Sequence, residues 1–194
     1  QRQMCIRDRK SGIPEDELPG IVRRWRKANQ NIVRFWYEVE EAAIGAVQGR
    51  PATLDHGIHF ECEAGYLFIT LPSGRRLAYY RPELKPEPQF EKLGLTYLGT
   101  GQNKQWVRQK SYGGKLVENI TQATARDCLR DAMAALDKAG YRIVFHVHDE
   151  VIADMPQSEG SLKDMQEIMG RPLPWAPGLP LRAAGFEASF YMKD

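Results

Sequence analysis

Fifteen consecutive residues, Tyr141 to Met155 (YRIVFHVHDEVIADM), constrain the fold more than any other part of this 194-residue chain. Their composition is almost continuously β-forming. As one strand, at about 3.3 Å per residue, they would run roughly 50 Å, far beyond the usual five or six residues. The chain must therefore reverse inside the segment, and the interruption available is His148-Asp149-Glu150. A hairpin tip normally uses Asn-Gly or Asp-Gly, because glycine reaches positive φ cheaply, yet no glycine is present. Two adjacent carboxylates are thus expected at a tight turn between buried strands. Neighbouring acids disfavour joint ionisation unless a cation is present. Mg²⁺ suits such a place, since it commonly takes one or two protein carboxylates and leaves its other positions to water and phosphate. Taken alone, the triplet also fits an ordinary solvated turn.

The segments before it set the frame. Apolar residues recur at Ile21, Trp25, Ala28, Ile32, Phe35, Val39, Ala43 and Ala46, in steps of three and four that mark one face of a helix between Pro14 and Val47. Asn29-Gln30-Asn31 is a weak helix former in mid-pattern, so two helices joined or kinked there are expected, packed against a sheet with Trp25, Trp36 and Tyr37 in the core. Residues 58–80 read as an antiparallel meander, punctuated by Ala64-Gly65 and Pro72-Ser73-Gly74. Arg81 to Lys92, rich in proline and charge, reads as an exposed loop.

A long helix is expected from about Lys115 to Ala139, stopped by Gly140, with Val117, Ala125, Cys128, Leu129, Ala132 and Leu136 on one face. Asn119, Arg126 and Arg130 form a stripe away from that face, with Gln122 on its border. A short helix near Ser161–Met169, a Pro-rich loop over Arg171–Pro180 that carries Trp175, and a last strand at about Leu181–Tyr191 complete the chain. The fold class is α+β.

Composition removes several classes of function. No apolar run approaches the roughly 20 residues of a membrane span. Cys5, Cys62 and Cys128 lie far apart, with no CxxC or zinc-spaced pair, so reduced thiols in a cytoplasmic setting are the expectation. Net charge is only +2, although residues 1–34 carry nine basic against four acidic side chains. That excess suits either a solvated helix face or a phosphate-contacting one. Residues 1–10 show no helical, strand or signal-peptide pattern and resemble adapter-derived sequence, which leads us to expect a natural gene that continues upstream.

Several stretches together carry a resemblance. Ser111-Tyr112-Gly113-Gly114-Lys115-Leu116-Val117-Glu118-Asn119, Gln122, Ala125-Arg126-Asp127 and Val147-His148-Asp149-Glu150-Val151, with Gly74-Arg75-Arg76-Leu77, are similar to the C-terminal palm of family A DNA polymerases, particularly the phage and prophage branch. The resemblance covers nearly all of residues 11–194. It implies an antiparallel palm-type sheet with flanking helices, residues 11–50 linking fingers to palm and 51–194 forming the palm itself. It implies that Asp149 binds a catalytic Mg²⁺ with support from Glu150, one of two divalent ions in the complete enzyme. His148 and Gln122 would touch the primer terminus and its minor groove, where every base pair offers acceptors and contact tests geometry without reading sequence. Asn119 and Arg126 are candidates for the same primer–template surface, while Glu118 stands where bacterial members are aligned with Asn.

The sequence contains no Asp-x-Ser-x-x-Glu-x-Arg motif and no fingers helix of the Lys/Arg-rich Asn-(Tyr/Phe)-Gly kind. Two-metal chemistry needs a second aspartate to hold the ion pair. The expectation is therefore a part of a DNA-templated polymerase that is inactive alone, with dNTP bound through motifs upstream. Two other readings compete with it: a non-catalytic nucleic-acid-binding palm remnant, and a metal-dependent phosphohydrolase built on His148-Asp149. The second of these needs further converging His and Asp ligands.

Overall fold

A computed structural model describes residue 14 and residues 16–87, 92–101 and 103–192. Residues 1–10, expected to be foreign, lie outside the described residues. The N-terminal helical pattern divides where expected, into α1 (Leu18–Ala28) and α2 (Gln30–Val47). Asn29 leaves helical geometry at φ −119° and ψ 47°, and its backbone and side-chain amides both donate to Trp25 O, at 2.9 and 2.8 Å.

Six antiparallel strands follow as a meander in sequence order: β1 (Ala52–Thr53), β2 (His59–Glu63), β3 (Tyr66–Thr70), β4 (Arg76–Glu87), β5 (Lys92–Thr100) and β6 (Trp106–Ser111). Alternation along the strands turns Phe60, Leu67, Ile69, Tyr79 and Leu95 onto one face, where they are buried with Val39, Ala43 and Ala46 of α2.

Of the stretch Arg81–Lys92, read from the sequence as a loop, the described residues 81–87 and 92 are strand. β4 runs on to Glu87 and pairs with β5, from Glu83↔Thr96 to Glu87↔Lys92, after a register shift between Tyr80 and Glu83. Pairing with β3 ends at Tyr80↔Tyr66, so the prolines fall in the bulge (Pro82) and beside an edge that no β3 residue occupies (Pro86). A missing N–H breaks no ladder bond at such positions.

The 26-residue helix α3 (Gly113–Lys138) is about 39 Å long. Its buried residues change sides along the rod. Leu116, Ile120, Ala123 and Asp127 share one side, and Leu129, Ala132 and Leu136 lie about 180° away at 100° per residue. This corrects the single apolar face read from the sequence: Ala125 is exposed and Cys128 half-buried. Both follow the C-terminal phase back into turns that are buried on the opposite side. The first half of α3 joins the core of the sheet and α2. Leu136 enters a second core with Tyr141, Ile168 and the half-buried Ile143, Val151, Ala153 and Met165.

That second core holds the hairpin β7 (Ile143–Val147) and β8 (Glu150–Ala153), a two-stranded ribbon separate from the main sheet, and α4 (Leu162–Met169). Ser161 caps α4 by accepting from Asp164 N at 3.1 Å, and Tyr141 Oη donates to Ser161 O at 3.0 Å. The expected strand over Leu181–Tyr191 does not form: residues 181–192 have no regular structure and are mostly exposed. Their composition is strand-like, but no described strand edge pairs with them, and an unpaired strand has no hydrogen-bonding partner to fix it.

Two further expectations about the core need correction. Trp25 is 43% and Tyr37 61% exposed, so neither is core, whereas the half-buried Trp36 packs against the main core as expected. α1 buries no residue and rests on α2 through a stacked Trp25–Trp36 pair, ring centroids 5.6 Å apart. The 3.6-residue period continues through α1, but the sheet lies under α2 alone. Among the described residues no helix is long and apolar enough to cross a membrane.

Candidate nucleic-acid interface

The chain reverses at the predicted place. His148 and Asp149 form a two-residue turn between the paired Val147 and Glu150, so the third acidic-triplet residue is already the first of β8. All three side chains are exposed. His148 has φ 52°, a left-handed conformation that costs a non-glycine residue about 1 kcal/mol or more. The strands leading to the turn are not buried as expected: Val144 is 60% and Phe145 39% exposed, because the ribbon meets the second core through one face only, that of Ile143, Val151 and Ala153.

The expected polar stripe of α3 forms. Asn119, Arg126 and Arg130, with Gln122 at their edge, fall within an arc of about 80°, on the side of the rod between its two buried faces. Gln122 and Arg126 are exposed. Asn119 is half-buried and tied to the sheet, donating from Nδ2 to Tyr79 Oη at 2.9 Å. Burial pushes the Tyr79 phenol above its usual pKa, partly opposed by that hydrogen bond.

The guanidinium of Arg126 joins the stripe to the hairpin. Its Nη1 and Nη2 lie 3.1 and 3.0 Å from Nδ1 and Nε2 of His146, and whichever ring nitrogen is unprotonated accepts. One contact thus brings the helix stripe beside the strand that ends in His148-Asp149. Arg126 stands twenty residues from His146 on another element, so no local pattern marks the pair.

The two arginines of the meander also have defined places. Arg75 Nε lies 2.8 Å from Oδ1 of Asp127, and its Nη2 donates to Ala123 O. Asp127 is 2% exposed and also accepts from Ser73 Oγ at 2.5 Å. Arg76 pairs with Glu61 at 2.7 Å and lies over the Phe68 ring. The Arg75–Asp127–Ser73 group clamps the β3–β4 turn to α3 and so fixes the rod that bears the stripe. Sequence reading passed over Asp127, though its spacing from Leu116, Ile120 and Ala123 places it in their phase. Trp175 Nε1 donates to Asp131 Oδ2 at 2.7 Å, pinning the Pro-rich loop onto α3 as a packing loop.

Asp149 and Glu150 supply oxygen donors that suit a hard cation with open positions for water and phosphate. Among the described residues no three His, Cys, Asp or Glu side chains group to hold a metal.

An exposed acidic turn, cross-braced to a polar helix stripe, is a surface able to meet a phosphate backbone through a shared cation. No family model matches the chain, and no solved structure matches it. The chain is 53% identical over 184 residues to the DNA polymerase of Bacillus phage SP02. The aligned part is 94% of this chain and 28% of that protein, so the chain spans little more than a quarter of its relative.

Proposed function

We propose that the chain is the C-terminal part of a DNA-templated DNA polymerase of family A, with residues 11–50 linking fingers to palm and 51–194 forming the palm. The observation that carries this reading is the exposed His148-Asp149 turn braced through His146–Arg126 to the Gln122 stripe. The similarity to a phage DNA polymerase supports it.

In this reading the residues divide their work by position. Asp149 holds a divalent metal, Mg²⁺ by its preference for oxygen ligands, and Glu150 supports it from the first position of β8. When bound, a pair of such ions stabilises the attacking and leaving oxygens of nucleotidyl transfer. Gln122 and His148 lie against the primer terminus and its minor groove. Arg126 holds His146, and with it the direction of the ribbon, while Asn119 anchors the stripe to Tyr79. The second aspartate belongs to sequence outside this chain, so the 194 residues alone do not extend a primer. A phosphohydrolase built on His148-Asp149 needs several converging ligands, and the described residues offer no such group.

The test is a chimera in which this chain replaces the aligned part of the SP02 polymerase. Extension of a primed template is expected. In the chimera, Asp149→Ala should lower incorporation by at least about 100-fold, as loss of a key electrostatic group does. Primer–template affinity should change little. A chimera that binds primer–template but never incorporates would favour the non-catalytic remnant, and unchanged incorporation by Asp149→Ala would refute metal ligation.

A further inference from the structure

The six-stranded sheet has a second face, turned away from α2 and α3, and it is not polar as a simple solvent face would be. The register places Tyr66 opposite Tyr80, Tyr80 opposite Leu98, and Leu98 opposite Arg108, with Phe68 and Trp106 on the same side. The rings form a continuous row. Centroids of Phe68 and Tyr66 are 5.5 Å apart, of Tyr66 and Tyr80 5.0 Å, and of Tyr80 and Trp106 6.1 Å. Cross-strand aromatic pairs stabilise a sheet, which accounts for the half-buried members. It does not account for Trp106, which remains 60% exposed at the end of the row.

Charge gives the row a direction. At the Phe68 end, Arg76 is engaged by Glu61 and Glu63, 2.7 and 3.5 Å away. At the Trp106 end, the exposed Arg81 sits in the β4 bulge with its guanidinium carbon 5.4 Å from the Tyr80 centroid. Arg108 beside it is engaged like Arg76, donating to Arg81 O at 3.1 Å and pairing with Glu83 at 2.7 Å, so Arg81 is the guanidinium this end presents. Flat π-faces edged by guanidinium groups match a ligand made of planar bases on a phosphate backbone, which binds by stacking and screened attraction without regard to sequence.

We propose that this sheet face, from Tyr66 through Tyr80 to Trp106, binds single-stranded DNA, with Arg81 meeting its phosphates. The choice of DNA rests on the polymerase reading, since a template strand ahead of synthesis is unpaired. The site itself is distinct from the hairpin and would act as a rest for that strand.

The test uses the whole 194-residue chain and fluorescently labelled (dT)12, followed by anisotropy, with an abasic 12-mer as control. Trp106→Ala should weaken (dT)12 binding about 5- to 100-fold, the range for loss of one stacked base. Trp106→Phe should restore most of the affinity, and abasic binding should not respond to either change. Arg81→Ala should reduce the slope of log K against log salt by about 0.7, the share of one phosphate contact on a single strand. Circular dichroism melts verify that each variant folds. Undetectable (dT)12 binding, a Trp106→Ala effect within twofold, or equal losses for abasic and dT oligomers each overturn the proposal. So does a variant that alters self-association in sedimentation while leaving (dT)12 binding intact, which assigns the face to a second copy of the chain. These readouts do not depend on Asp149, so their failure leaves the chimera test of the hairpin standing, and failure at the hairpin is read separately.

Discussion

Replacing Asp127 with alanine tests how the functional rod is held. The carboxylate is 2% exposed and meets Ser73 Oγ at 2.5 Å and Arg75 Nε at 2.8 Å. A hydrogen bond to a charged group contributes about 1.5–3 kcal/mol, and removing one partner of a fully buried pair costs about 3–5 kcal/mol. The Arg75 side chain is 37% exposed, so water can solvate much of its guanidinium, which places the expected loss near the lower end, about 3 kcal/mol. For a chain of this size that is a Tm drop of about 6–12 °C. Asp127→Asn keeps an acceptor for Ser73 and should lose less, about 1–2 kcal/mol. Urea denaturation of the single variants and of Asp127→Ala/Arg75→Ala completes a cycle, in which the pair should couple by about 1–2 kcal/mol. A loss under about 0.5 kcal/mol for Asp127→Ala, the size of an ordinary surface change, would refute the clamp.

Gly113→Ala should destabilise by about 3 kcal/mol in urea, since the new Cβ would lie 1.9 Å from Trp36 O, where backbone cannot yield cheaply. His148→Gly should raise Tm by about 1–3 °C by relieving the positive φ, while removing the proposed primer contact; a lower Tm would refute strain at the turn. Tyr141→Phe removes the hydroxyl that donates to Ser161 O and accepts from Ser161 N, and should lower stability by about 1–2 kcal/mol in the same assay. Burial raises the Asp131 pKa, but the hydrogen bonds from Trp175 and Arg130 outweigh it and hold the carboxyl below its usual 3.8. Its stabilising contribution is therefore complete above the unfolded value and fades as pH falls through the lower folded one. Trp175 fluorescence should report loop release at that lower pH, and a transition at or above 3.8 would count against the contact.

What was legible in the sequence was what local rules decide. The Asn29 break and the Gly140 stop follow from a residue's own backbone preference, and the reversal at His148-Asp149 follows from the length of the β-forming run, against the preference of His148. The stripe of Asn119, Arg126 and Arg130, with Gln122 on its border, follows from helical period alone. What failed depended on a partner distant in sequence. Pro82 and Pro86 look like loop residues until β3 is seen to end its pairing at Tyr80, and residues 181–191 look like a strand until no edge meets them. Trp25 keeps the apolar period of α2 but extends past the sheet that gives that period its meaning. The Arg126–His146 brace and the Asp127 cluster were hidden for the same reason, since each joins elements twenty or more residues apart.

Because α3 is gripped on opposite flanks by two cores, its halves answer to different neighbours while sharing one backbone. The meander can be lengthened, shortened or resurfaced without disturbing the acidic turn, so long as the first turns of the rod keep their seat.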